Sequence, residues 1–145
     1  MKLHYISENI EDTKKIVSKL FNRIIDKKNL LYGELGSGKT TLVKHFAELA
    51  GLKNSVTSPT FNILQTYKCK LTTIYHFDLY RIDSIAELEE IGFFEYAFID
   101  NATIFIEWAN KFNLEEIFDC INKIYLYILE TNRRKIEVYT NDFNT

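Results

Sequence analysis

The chain has 145 residues, 46% of them apolar and 14% aromatic, with 18 basic against 20 acidic side chains and a net charge of −2. That length supports one core rather than two ordinary domains, so residues 1–145 are read as a single domain. The charge excludes binding of nucleic acid over the whole surface and leaves RNA to a local patch or a partner. No tract has the length or purity of a membrane span or a secretory segment, which predicts a soluble, unprocessed chain. Cys69 and Cys120 stand far apart with no C-x-x-C and no nearby paired histidine. They offer no zinc pattern and suit free thiols in a reducing, cytoplasmic setting.

At the start, Leu3, Tyr5 and Ile6 are too few to define an element. Ser7 and Asn9 are capping residue types, a role favoured here over nucleotide contact, and a helix follows them. Ile10, Ile16, Val17, Leu20, Phe21 and Ile24 recur on one of its faces, with Glu11 and Asp12 in the first turn where the helix dipole favours acids. Leu30-Leu31-Tyr32 then reads as a short apolar strand, and Thr40 to Ala50 as a helix with Leu42, Phe46 and Leu49 at helical spacing.

Between that strand and that helix lies Gly33-Glu34-Leu35-Gly36-Ser37-Gly38-Lys39-Thr40-Thr41, which fits the phosphate-loop pattern G-x-x-x-x-G-K-[ST]. Glycines at 33, 36 and 38 let successive backbone N–H groups converge on phosphate oxygens. The helix start adds its own unpaired N–H groups and dipole. Lys39 is the point charge for the β- and γ-phosphates, and the Thr40 hydroxyl is the candidate ligand for Mg²⁺.

Gly51 has the place of a helix C-terminal cap, and residues 53–58 are polar and turn-like. Ser58-Pro59-Thr60-Phe61 is a loop whose proline biases Ser58 toward an extended backbone. A threonine there, after the first phosphate-loop helix, is where a γ-phosphate sensor would sit. Residues 61–67 and 72–79 read as strands joined by a hairpin connection over 67–71, the second ending on Asp78. Ligands of open α/β sheets gather at the carboxyl ends of strands, so Asp78 is expected near the metal. His76 shares its face, with packing or a hydrogen bond within the sheet as the expected role.

Ser84 followed by Glu87 is a capping box opening a helix with Leu88, Ile91 and Phe94 on one stripe and Glu89 and Glu90 on its solvated face. Thr103-Ile104-Phe105-Ile106-Glu107-Trp108 is an almost continuous apolar run of the kind buried on both faces of a sheet. Its terminal carboxylate, Glu107, needs a partner or a metal, and Trp108 is expected in the core. Residues 123–129 and 136–140 read as an antiparallel hairpin across Thr131-Asn132-Arg133-Arg134. One of those arginines has a guanidinium suited to stacking on an adenine ring.

The phosphate loop, Ser58-Pro59-Thr60-Phe61, His76-Phe77-Asp78-Leu79-Tyr80-Arg81 and Glu107-Trp108, in that order, resemble the TsaE (YjeE) ATPases of bacterial tRNA threonylcarbamoyladenosine synthesis. The resemblance covers nearly the whole chain. It implies a three-layer α/β fold of phosphate-loop hydrolase type, with a mostly parallel sheet and an antiparallel C-terminal hairpin. It further implies ATP bound with Mg²⁺, and hydrolysis in the service of TsaB and TsaD during modification of adenosine 37 in tRNAs that read codons beginning with A; tRNA is then met through the complex.

On this resemblance Thr40 and Glu107 hold the metal, Asp78 acts on the metal shell or the attacking water, and Thr60 senses the γ-phosphate. Residues 33–41 cradle the nucleotide. A further nucleotide contact falls on Ser7 or Asn9, and Arg133 carries over by its place in the final hairpin. Two other classes share the loop. A small-molecule kinase needs an arginine-bearing lid, whereas this chain has four arginines and no lid-sized insertion. A non-hydrolysing nucleotide-binding adaptor would share every binding residue.

Overall fold

The computed structural model describes residues 2–57 and 63–141. Eight strands form one sheet in the order β1-β8-β7-β2-β6-β5-β4-β3. The central four are β7 (Ile121–Ile128), β2 (Lys28–Tyr32), β6 (Ala102–Glu107) and β5 (Thr73–Asp78), and they run parallel. Antiparallel arms flank them, with β8 (Arg134–Asn141) and β1 (Lys2–Ser7) on one side and β4 (Leu64–Cys69) and β3 (Leu52–Thr57) on the other. The C-terminal hairpin and the β4–β5 hairpin are antiparallel as expected, and β3 adds a further antiparallel pairing beyond β4.

Helices cover both faces of the parallel centre. Helix α1 (Ile10–Ile24) packs with α2 (Lys39–Leu49) on one side, where Val17, Leu20, Leu42, Phe46 and Phe105 are fully buried. The short helices α3 (Ile85–Glu90) and α4 (Phe93–Ala97) close the other side over Leu30, Phe77, Ile104 and Ile106. Neighbouring residues of one strand thus feed opposite cores: Leu30 faces α3 and α4, Leu31 faces α1 and α2. Each such side chain taken fully from water contributes about 1.5–3 kcal/mol.

Four readings of the sequence change. Residues 52–57 form strand β3 rather than a turn, because pairing with β4 decides an edge strand whose own residues are polar. The connection expected at 67–71 moves to 70–72: β4 continues through Cys69, and the Lys70 and Leu71 N–H groups donate to the Gly51 and Ala50 carbonyls at the end of α2 (2.8 and 3.0 Å). The helix from Ser84 breaks at Gly92, whose φ of 73° separates α3 from α4. Asn9 caps α1, accepting the Asp12 N–H at 2.9 Å, but Ile10 leaves the apolar face and is 63% exposed.

Candidate functional site

Strand β2 delivers the phosphate loop and is held at its end. Tyr32 stacks on Tyr125 with ring centroids 4.7 Å apart and donates a short hydrogen bond to Glu115, which also takes the Lys123 ammonium at 2.8 Å. Burial and the Glu115 hydrogen bond push the Tyr32 phenol far above its ordinary value, so it remains a donor. Burial pushes the Glu115 carboxyl up, but Lys123 and Tyr32 outweigh it and hold it below the usual carboxylate range. Beyond this anchor Gly33 passes so close to β7 that a Cβ would lie 2.7 Å from the Leu126 carbonyl oxygen and 2.4 Å from Ser37 Oγ. Gly38 then caps α2 with a φ of 107°, a conformation that side-chain-bearing residues rarely adopt.

Within this loop the Lys39 ammonium donates to the carbonyls of Gly33 and Glu34 and lies 3.8 Å from Glu107 Oε1. Among the described residues the Ser37 hydroxyl is buried with no hydrogen-bond partner, an unmet need that a bound anion or a water would fill. Thr40 opens the first turn of α2 and is exposed.

Two parallel strands bring the carboxylates level with the loop. Asp78 ends β5, Glu107 ends β6, and the two are register partners, with Leu31 of β2 on the other side of Glu107. Asp78 accepts the Tyr80 N–H at 3.1 Å. Glu107 is 7% exposed, and its Oε2 lies 2.7 Å from His76 Nε2. A carboxylate has no hydrogen to give, so Nε2 is the donor. Lys39, Thr40, Asp78 and Glu107 line one cleft of about 260 Å³ together with Leu35, Gly36, Gly38 and Thr41. Its donors toward a cation are oxygens, the set preferred by a hard ion that also keeps phosphate and water ligands. Among the described residues, no group of three or more His, Cys, Asp or Glu could hold a metal unaided.

A larger cleft of about 530 Å³ adjoins the other side of the loop, between the start of α1 and the β7–β8 hairpin. Asn9, Ile10, Thr13, Asn132, Arg134 and Ile136 line it with Gly36 to Gly38 and Thr41. Ser7 is buried below, donating to the Asn9 carbonyl and lying 2.7 Å from the Thr13 hydroxyl, so it acts on this cleft through residues that face it. Arg133 is held by Glu8 and Glu130, each at 2.9 Å, whereas Arg134 reaches the loop and donates to the Gly36 carbonyl at 3.1 Å. Thr60 lies outside the described residues. The sequence reading passed over Ile10, Thr13, Asn132 and Ile136. The one signal for Ile10 is its position directly after the cap, where a helix face has not yet reached the core.

Trp108 is a further correction. It is 42% exposed, adopts a φ of 64° and rests against Tyr80 with ring centroids 5.1 Å apart, because the chain turns away from the sheet directly after Glu107.

The family model described as threonylcarbamoyl adenosine biosynthesis protein TsaE matches residues 7–136. The chain belongs to the TsaE family. A tRNA threonylcarbamoyladenosine biosynthesis protein TsaE of Rickettsia felis is 38% identical over 143 residues, covering 94% of this chain and 79% of its own. One of Aquifex aeolicus is 33% identical over 138 residues, covering 92% and 93%. A crystal structure of YdiB from Bacillus subtilis superposes with a TM-score of 0.70 at 29% identity, over 97% of this chain and 85% of that one. The loop and its two clefts thus belong to a TsaE-family protein, a family of nucleotide-binding proteins in tRNA threonylcarbamoyladenosine biosynthesis, a pathway that implies partner proteins. None of the described helices is long and apolar enough to cross a membrane.

Proposed function

We propose that residues 1–145 form one ATPase unit that binds ATP with Mg²⁺ and hydrolyses it slowly alone and faster with TsaB and TsaD, supporting threonylcarbamoylation of adenosine 37 in tRNAs that read codons beginning with A. The observation that carries this reading is the convergence of Lys39, Thr40, Asp78 and Glu107 on one cleft at the phosphate loop. In this reading the protein works in the cytoplasm and meets tRNA through the complex. The base and ribose occupy the cleft between α1 and the final hairpin, and the phosphates lie over the loop, where Ser37 gains the partner it lacks.

Lys39 exchanges its loop carbonyls for the β- and γ-phosphate oxygens. Thr40 and Glu107 would hold Mg²⁺, which, when bound, neutralises phosphate charge. Asp78, fixed by the Tyr80 N–H, orients water at the cleft. Beyond Lys39 the described cleft brings no second cation to the phosphates, so slow intrinsic turnover is expected. A partner would then supply a cation or act through the segment 58–61, which carries Thr60.

The test is phosphate release and co-precipitation with TsaB and TsaD, with and without ATP. Wild-type turnover should rise with both partners. Lys39→Ala should lose tight ATP binding while folded, and Thr60→Ala should keep ATP affinity but blunt the stimulation. Nucleotide binding without any release, with partners present, would make the protein an adaptor.

A further inference from the structure

Glu107 presents its two carboxylate oxygens to two different partners. Oε2 is 2.7 Å from His76 Nε2, and Oε1 is 3.8 Å from the Lys39 ammonium at the cleft. Both His76 and Glu107 are buried, at 8% and 7% exposure, on adjacent parallel strands. The His76 ring meets Phe105 of the core edge-on, with centroids 6.3 Å apart, so the buried imidazole has an apolar neighbour beside its bond to Oε2.

We propose that His76 is a positioning residue for Glu107, pinning Oε2 inside the sheet so that Oε1 alone faces the cleft, first toward Lys39 and then, once Lys39 turns to phosphate, toward the cation. This rests on the reading of Glu107 as a metal ligand. The physical need is plain: an unpinned glutamate has three rotatable bonds, and a single buried carboxylate serving a sparse oxygen site binds well only if its orientation is fixed beforehand. Removing an orienting partner of this kind weakens metal affinity by about 10–100-fold.

The experiment titrates ATP into wild type, His76→Ala, His76→Gln, His76→Met and Glu107→Gln, in EDTA and across a MgCl₂ series, by calorimetry, with a thermal melt of each. Mg²⁺ should tighten ATP binding to wild type, and Glu107→Gln should lose that tightening. His76→Ala and His76→Met should keep the affinity seen in EDTA but need about tenfold more Mg²⁺. His76→Gln, whose amide N–H can donate to Oε2, should recover most of the response. The Gln and Met pair decides the matter if His76→Ala does not fold. The proposal is overturned if Met and Gln variants both respond to Mg²⁺ like wild type while Glu107→Gln has lost the response. If Glu107→Gln keeps the response, the ligand reading fails first and takes this inference with it.

Discussion

Lys39 keeps its ammonium on two loop carbonyls and 3.8 Å from Glu107, while Asp78 adds a second carboxylate to the same cleft, so the site presents two acids and one cation before a nucleotide arrives. The carboxylates should therefore separate binding from turnover. Glu107→Ala and Asp78→Ala are expected to retain ATP, measured by calorimetry, while phosphate release in the presence of partners falls by about 100-fold or more. Wild-type release from either variant would assign that residue a structural role only. His45 makes a different prediction. It is buried in α2 with neither ring nitrogen hydrogen-bonded; Glu48 stands 4.0 Å away, with Glu11 and Lys14 of α1 nearby. Burial lowers its pKa and Lys14 adds to that, outweighing the opposite pull of Glu48 and Glu11. The unfolded chain thus takes the proton more readily, and this part of the stability is full above the ordinary value of 6.5 and is lost as pH falls below it. Thermal melts from about pH 8 to about pH 5 should show a smaller loss for His45→Gln than for wild type.

At the scale of elements, the loop is set by what β2 and β7 leave between them. Tyr32 is locked to Glu115 and Tyr125, and the next residue has room for no side chain. Gly33→Ala should force the loop away from Leu126, costing about 1–3 kcal/mol in chemical unfolding and sharply weakening ATP binding in the same protein. Unchanged affinity would mean that the loop re-forms without that close approach. The short helices on the other face do simpler work. Ser84 accepts the Glu87 N–H at 3.2 Å, and the Glu87 carboxylate accepts the Asp83 N–H at 3.0 Å, so α3 starts where the capping residues stand.

Across the whole molecule, function and stability sit at opposite ends of the same strands. At the far end of β2 from the loop, Asn29 donates to the carbonyls of Ile24, Lys27 and Ile104 and accepts from Asn122, which also donates to Arg23. This buried amide pair ties α1, β2, β6 and β7 together. Asn29→Leu should cost about 2–4 kcal/mol in denaturant unfolding, since it leaves several buried polar groups unpaired, yet leave ATP affinity of the folded protein intact. A loss of affinity as large as the loss of stability would show that the two ends are coupled.

By itself the sequence determined whatever depends on neighbouring residues. The phosphate loop is legible because glycine, lysine and threonine spacing encodes a backbone turn and a helix start within nine residues, and Glu107 is legible because a carboxylate after an unbroken apolar run is costly without a partner. The cap at Asn9, the capping pair at Ser84 and the final hairpin are local in the same way. What joins distant segments was decided only by the tertiary structure. Strand β3 exists because β4 pairs with it, Ile10 and Arg134 meet across a cleft between α1 and β8, and Arg133 is claimed by Glu8 from another element. His76 follows the same logic. Its alternation in β5 shows which face it takes, but its bond to Glu107 needs β5 and β6 side by side in register. Pattern reports the periodicity of one element, while pairing, register and charge partners are properties of two.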